Sequence, residues 1–179
     1  LPTPSQADDI RDFQIERMSI GDSALDYFSK QEIKKAHKYK FKNDEFSTME
    51  FKKLNFFETY DNIQISFKTN DQKLERHAVE GLIFYEKNIK KCIKKIDEVD
   101  KEISEIFKKI KKKKKKTYKH PYDKSGDSTI TDIRYNFSNG DSAQIACYNW
   151  SKKINYTDNF RIILRSKKFS NFLRTKAHK

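Results

Sequence analysis

Hydrophobic residues follow a helical spacing through the middle of the chain. Four isoleucines recur every seven residues: Ile89, Ile96, Ile103 and Ile110. Cys92, Val99 and Ile106 fall three positions after the first three of them, which places both sets on one stripe of a helix. The pattern predicts a long amphipathic helix from about residue 86 to about residue 110 or one turn beyond. A broad apolar face over three heptads favours packing on a sheet, with a coiled coil as the alternative.

On either side of this helix the hydrophobic period changes to two, which predicts strands. The first run is Met49 and Phe51, the next is centred on Ile65, and a later one is centred on Ile162. A further strand is expected from about residue 73 to about residue 85, antiparallel to its predecessor. Gly81 in its middle indicates a bulge or a closely packed neighbour, with a simply tolerated glycine as the alternative.

A hairpin can be placed in register around Asn139 and Gly140. The apolar residues of its two strands are Ile133, Tyr135 and Phe137, then Ala143, Ile145 and Cys147. A two-residue Asn139-Gly140 loop would put these sets on opposite faces of the sheet. A three-residue loop from Ser138, with Gly140 left-handed, puts Tyr135 opposite Ala143 and unites them. We therefore predict the three-residue loop.

Short helices are expected at both ends of the folded region. Phe13 and Ile15 alternate as an extended entry, and Asp22 or Ser23 can cap a first turn. Ser29 and Glu32 have capping-box spacing for a helix that runs to about residue 37. Near the other end, Ser166 can cap a helix whose apolar face is Phe169, Phe172 and Leu173. The order of elements predicts one α+β domain over residues 8–179, with a mainly antiparallel sheet.

Positive charge is concentrated in the same central region. The formal net charge is +13, and residues 87–119 contain fifteen lysines against five acidic residues. Beyond the expected apolar stripe, a basic segment at residues 108–119 contains Lys108, Lys109, Lys111, Lys112, Lys113, Lys114, Lys115, Lys116 and Lys119. These are candidate anion-binding residues for phosphates of nucleic acid or of an anionic surface. The alternative is a solvated lysine face produced by compositional drift.

Two cysteines face the predicted core, Cys92 from the helix and Cys147 from a strand. In an oxidising compartment they can form a disulfide, which the chain-entropy model values at roughly 4 kcal/mol for a loop of this length. The alternative is a pair of buried thiols that act as small hydrophobic side chains. No metal-ligand spacing, phosphate-binding glycine loop or nucleophile turn is found, so no cofactor, metal or catalytic residue is assigned.

The first residues, LPTPSQA, end in small residues at the positions that signal peptidase reads, so residues 1–7 are interpreted as a signal-peptide remnant or a disordered leader. Export to the periplasm or secretion is expected, with a cytoplasmic location as the alternative. No run of apolar residues is long enough for a transmembrane helix.

The stretch DDIRDFQIERMSIGDSALDYF, residues 8–28, resembles the mature N terminus of a family of small exported uncharacterised proteins from marine bacteria with AT-rich genomes. The likeness extends more loosely to the lysine-rich helix and to the block TYKHPYDKSGDSTITDIRYNFSNG. Relatives are expected to have glycine at the position of Arg17, which leaves a tight turn there in doubt. The resemblance implies export and carries no activity, ligand or catalytic residue.

Three functional hypotheses follow. The first is a non-enzymatic exported envelope protein that binds a protein partner or an anionic surface. The second is a nucleic-acid-binding module that uses the lysine-rich segment. The third is an enzyme with an unrecognised site assembled from residues such as His120, Tyr122 and Asp123, in a loop where Asp127 and Asp132 add further carboxylates.

Overall fold

The computed structural model describes residues 9–86, 88–177 and 179 of the chain. The expected leader at residues 1–7 lies outside these residues. The described part forms an α+β fold, as the sequence predicts, with nine antiparallel strands in one sheet and three α-helices.

The strands are β1 (His37–Lys40), β2 (Phe46–Lys52), β3 (Asn62–Lys68), β4 (Ala78–Phe84), β5 (Lys111–Lys112), β6 (Lys116–Lys119), β7 (Thr129–Asn136), β8 (Ser142–Asn149) and β9 (Asn159–Arg165). The helices are α1 (Lys30–Lys35), α2 (Ile89–Ile106) and α3 (Lys167–Thr175). Two short 3-10 turns, Ile10–Asp12 and Ala24–Asp26, precede α1.

The last strand joins two meanders into one sheet. The order is β1-β2-β3-β4-β9-β8-β7, so β9 lies between β4, the last strand of the first meander, and β8, the second strand of the β7–β8 hairpin. Both β5 and β6 pair with β7, one after the other along its outer edge. This edge strand has a short interruption, where the amide of Lys113 still donates to the carbonyl of Arg134 at 2.8 Å.

The largest hydrophobic cluster lies on one face of the sheet. Helix α2 packs there against β7, β8 and β9, and buries Cys92, Ile96 and Ile103, as its periodicity predicts. The N-terminal segment covers the other half of the same face, where Phe28 stacks on Phe51 with ring centroids 3.7 Å apart. Smaller apolar clusters lie on the opposite face, one of them formed where Phe169 and Phe172 of α3 pack against Phe46 and Ala78. The opposite face of the sheet also carries charged and amide side chains that are linked by hydrogen bonds.

The central helix is shorter than the sequence predicts. Asn88 caps its first turn and Phe107 caps its end, so the helix stops one turn before Ile110. The reason is tertiary: Phe107 is buried among rings from the core, and the following lysines pair with the open edge of β7. Backbone groups of an exposed strand edge need partners, and this pairing outweighs helix propensity. The expectation that the helix continues to about residue 110 or one turn beyond is wrong.

The N-terminal entry is a tight turn and has no regular strand at Phe13 and Ile15. Ile15 and Met18 exchange two backbone hydrogen bonds, both 2.9 Å, across a two-residue turn. Both turn residues have positive φ, 48° at Glu16 and 66° at Arg17. The turn therefore forms although glycine, the residue that best suits this conformation, is absent.

Other local predictions are confirmed. Ser29 and Glu32 form a reciprocal capping box on α1, and Ser166 caps α3. In the β7–β8 hairpin Tyr135 lies opposite Ala143, and Gly140 has a φ of 92°, as the three-residue loop requires. Gly81 has a closely packed neighbour, because a Cβ atom there would lie 2.6 Å from the Tyr60 ring.

Candidate functional site

The two cysteines meet in the core as a disulfide. Cys92 near the start of α2 is bonded to Cys147 on β8, with Cα atoms 5.9 Å apart and both side chains buried. The bond therefore ties the only long helix of the described residues to the centre of the sheet. Because both cysteines are buried, the bond stabilises the core and does not contribute to an exposed surface.

The lysine-rich segment forms the outer edge of the sheet. We call residues 108–119 the lysine-rich edge, and all nine of its lysines are exposed. Strand β7 holds this segment in place through both β5 and β6. Lysines on an edge strand also prevent pairing with the edge of another molecule, which is a structural role for the same residues.

Acidic residues of α2 neutralise part of this edge. Lys112 pairs with Asp100, Lys115 pairs with Asp97 at 2.6 Å, and Lys108 pairs with Glu105 at 3.0 Å. The other six make no ion pair with any described residue: Lys109, Lys111, Lys113, Lys114, Lys116 and Lys119. Six uncompensated cations therefore remain along the edge.

The loop after β6 uses its acidic residues for structure. The carboxylate of Asp123 accepts hydrogen bonds from the amide and hydroxyl groups of Ser125 and Ser128, at 2.6–3.0 Å. These bonds lower the pKa of Asp123 and fix the loop conformation. Asp127 pairs with Lys153. The Asp132 side chain accepts from residues of the sheet, so the three carboxylates expected around one loop have separate partners.

A polar network covers the second face of the sheet. Its first half begins at Glu50 on β2, which accepts from the amides of Asn62 and Gln64 on β3. The oxygen of Gln64 accepts from Arg161 on β9 at 3.3 Å, and Arg161 also donates to Glu80 on β4 at 3.0 Å. Charged and amide side chains thus link four strands on this face.

The second half of the network runs from β9 to the lysine-rich edge. Arg165 donates to both Glu80 and Gln144, at 3.4 Å and 3.0 Å. Gln144 on β8 donates to Asp132 on β7, which also accepts from Arg134 and from the Tyr118 hydroxyl. The polar network comprises Glu50, Asn62, Gln64, Glu80, Tyr118, Asp132, Arg134, Gln144, Arg161 and Arg165.

Charge is balanced within this network. The network contains three carboxylates and three guanidinium groups. Arg161 and Arg165 both pair with Glu80, whose side chain is only 8% exposed, and Arg134 pairs with Asp132. Burial alone would raise the pKa of Glu80, but Arg165 and Arg161 outweigh it and lower that pKa. Removal of one partner from such a buried group leaves an uncompensated charge. The network is therefore pre-organised and electrically neutral.

An aromatic cluster lies at one end of the polar face. Tyr148 on β8 lies beneath Arg161, with the guanidinium carbon 4.2 Å from the ring centroid. Trp150 follows β8 and contacts the rings of His120 and Tyr156, with centroids 4.5 Å and 5.1 Å away. The Trp150 indole nitrogen is buried and has no hydrogen-bond partner among the described residues. Charged, amide and aromatic groups therefore meet on one surface.

Comparison with protein-family models, with curated proteins and with solved structures finds no match to the chain. Among the helices of the described residues, none is long and apolar enough to cross a membrane. The described residues also contain no group of three or more His, Cys, Asp or Glu side chains arranged to hold a metal ion.

Hydrophobic periodicity identified the core face of β2, β3, β7, β8 and β9 but left the polar face unassigned. The signal lies in the alternate positions, where Gln64, Glu80, Gln144 and Arg161 replace the lysines and serines common on solvated faces. Donors such as Arg161, acceptors such as Glu80, and amides that do both, at neighbouring positions in the sheet, indicate a network once the strand order is known. That order depends on the insertion of β9, which no local pattern specifies.

Proposed function

We propose that this protein is a non-enzymatic, exported envelope protein that binds an anionic lipid surface through its lysine-rich edge. The observation that supports the proposal most directly is the group of six exposed, unpaired lysines on a segment held by β7. Each basic residue near an anionic membrane contributes about 1 kcal/mol of attraction, which salt weakens.

The disulfide supports the export part of the proposal. Disulfides persist in oxidising compartments and are rare in reducing ones. Cys92 and Cys147 are placed to form one in the core, and the described residues contain no further cysteine. A protein that works outside the cytoplasm meets lipid headgroups and envelope polymers more often than nucleic acid.

The test compares two variants of equal charge by co-sedimentation with vesicles of phosphatidylglycerol and phosphatidylethanolamine. The first changes six lysines of the edge to glutamine: Lys109, Lys111, Lys113, Lys114, Lys116 and Lys119. The matched control changes six exposed lysines of α1 and the opposite sheet edge to glutamine: Lys30, Lys34, Lys35, Lys38, Lys40 and Lys42. Each variant lowers the net charge by the same amount.

The edge variant is expected to lose at least about tenfold in vesicle affinity, because several contacts of about 1 kcal/mol disappear together. The control should change by no more than about threefold, and wild-type binding should weaken as salt rises. Equal losses in both variants would show that net charge alone governs binding. Tighter binding to single-stranded poly(dT) than to vesicles at physiological salt would favour the nucleic-acid hypothesis instead.

A further inference from the structure

Two exposed tyrosines lie next to the end of the lysine-rich edge. Tyr122 is in the loop that follows β6, and Tyr156 is in the loop between β8 and β9. At 56% and 50% exposure they are the two most exposed large hydrophobic residues of the described chain. Burial and the neighbouring Tyr122 side chain raise the pKa of Tyr156, so the two tyrosines are close together. Exposed rings that lie together, unlike scattered ones, indicate a contact site.

A packed aromatic cluster supports the two tyrosines. Trp150 packs edge-on against Tyr156 with ring centroids 5.1 Å apart, and its ring lies 5.7 Å from that of Tyr148. Arg161 of the polar network lies 4.2 Å from the centroid of the Tyr148 ring and pairs with Glu80. The donors and acceptors of the network are mostly buried and already paired. The network therefore holds the exposed rings in place, and the rings themselves are the available contact surface.

Unpaired lysines surround the two tyrosines. The segments that contain them, residues 116–128 and 150–158, have five lysines against three aspartates. One lysine of the five pairs with Asp127. The other four are exposed and make no ion pair with any described residue: Lys116, Lys119, Lys124 and Lys152. Lys116 lies on the polar face of the sheet, with its Nζ 5.0 Å from the centroid of the Tyr118 ring. The rings thus lie in positively charged surroundings.

This combination of rings and lysines limits the kind of partner. A neutral or purely apolar ligand would cover the lysines without supplying a counter-charge, which costs free energy. A soluble sulfated polysaccharide would neutralise the lysines but would offer little apolar contact for the rings. An anionic bilayer provides both, because its phosphates border the interfacial layer in which tyrosine and tryptophan side chains concentrate.

We propose that Tyr122 and Tyr156 enter the headgroup layer of the anionic bilayer to which the lysine-rich edge binds. This inference rests on the membrane function proposed for that edge and adds a second, aromatic contact. The two contacts are continuous, because the loop that contains Tyr122 begins directly after β6. Single-stranded nucleic acid also combines phosphates with surfaces for stacking. The disulfide favours an oxidising compartment, however, in which lipid headgroups are the commoner partner.

Quenching of Trp150 measures whether the aromatic contact reaches the bilayer. Trp150 is the single tryptophan of the chain and contacts Tyr156. The wild-type protein is bound to vesicles of phosphatidylglycerol and phosphatidylethanolamine that contain a spin-labelled lipid. A label just below the headgroup is expected to quench Trp150 emission strongly, and a label at the end of the acyl chain only weakly. A protein that co-sediments with the vesicles but is quenched by neither label would overturn the inference and leave the function proposed for the edge intact.

Variants then separate the ring contact from the charge contact. Tyr122→Ala and Tyr156→Ala should each weaken vesicle affinity by about threefold or more, because each removes apolar area from the contact. Replacement of either tyrosine by phenylalanine keeps the ring and should preserve most of the affinity. The matched control is Phe56→Ala, which removes an exposed ring from the loop between β2 and β3 and should leave affinity unchanged. An equal loss in Phe56→Ala, or wild-type affinity in the double alanine variant of Tyr122 and Tyr156, would overturn the inference.

Salt dependence and a competitor separate this inference from the function of the edge. The six-lysine glutamine variant should lose most of the salt-dependent part of binding, whereas the double tyrosine variant should keep the wild-type salt dependence. If the wild-type protein does not bind the vesicles at all, the function proposed for the edge is wrong and the inference is overturned with it. Displacement from vesicles by poly(dT) at physiological salt, with a Trp150 response that requires both tyrosines, would identify nucleic acid as the occupant and would also overturn the inference.

Discussion

Reduction of the bond between Cys92 and Cys147 is expected to lower the free energy of unfolding by about 4 kcal/mol. The two residues are 55 positions apart, so the bond closes a long loop in the unfolded chain. In the chain-entropy model a loop of this length loses about 14 cal/mol/K of conformational entropy when it is closed, or about 4 kcal/mol at 25 °C. The native state changes little on reduction, because both sulfurs are buried in packed surroundings.

The assay is urea unfolding followed by Trp150 fluorescence, with and without a reductant. With an m-value of about 2 kcal/mol/M, a loss of 4 kcal/mol corresponds to a decrease of about 2 M in the midpoint. Thermal unfolding should show a parallel decrease of about 8 to 16 °C for a chain of this size. Alkylation and mass measurement before reduction should detect no free thiol, and after denaturation in reductant it should detect two.

The matched control is the double variant Cys92→Ala and Cys147→Ala. Its midpoint should lie close to that of the reduced wild type and should not respond to reductant. The reasoning would be refuted if the wild-type midpoint were the same in both conditions after alkylation had shown that the thiols were bridged. A midpoint in the alanine variant that responded to reductant would instead show an effect unrelated to the bond.

Three further predictions concern local geometry, each measured by urea unfolding. Arg17→Gly should raise stability by about 0.5 to 1 kcal/mol, because glycine accepts a φ of 66° without strain; lower stability would contradict this. Glu16→Gln should cost about 1 to 3 kcal/mol, because its carboxylate accepts three amide hydrogen bonds of 2.7–3.0 Å from residues 58–60. Burial opposes these bonds, but they lower the pKa of Glu16, so its contribution is present above about pH 4.5 and is lost as the pH falls. The difference between wild type and Glu16→Gln should therefore shrink in acid, and a constant difference would count against this account. Gly81→Ala should lower the free energy of unfolding by about 1 to 3 kcal/mol, because the new Cβ meets the Tyr60 ring. The same change should cost less in a protein that already carries Tyr60→Ala.

Local patterns predicted the elements of this fold well where each pattern had one physical solution. The capping box at Ser29 and Glu32 can satisfy the first-turn amides only at a helix start. The hairpin register followed from the need to place Tyr135 and Ala143 on the same face. In such cases a wrong arrangement would bury polar groups or expose apolar ones, so the sequence specifies the answer.

Local patterns did not predict the strands of the lysine-rich edge. Lysine has good helix propensity, and the heptad pattern continues to Ile110, so the local signal favours a longer helix. The segment instead forms strands that pair with the free edge of β7, and β7 lies downstream of the lysines in the chain. Pairing with a strand that comes later in sequence has no local signature, and a tertiary partner can override propensity.

The two faces of the sheet separate stability from recognition. The apolar face contains α2, the disulfide and most of the core, so changes there should alter the free energy of unfolding and leave ligand affinity nearly unchanged. The polar face is joined by side-chain hydrogen bonds over seven strands, so a change at Glu80 should affect both. The exposed rings of Tyr122 and Tyr156 lie outside both systems. Substitutions at these two tyrosines are therefore expected to leave the free energy of unfolding nearly unchanged.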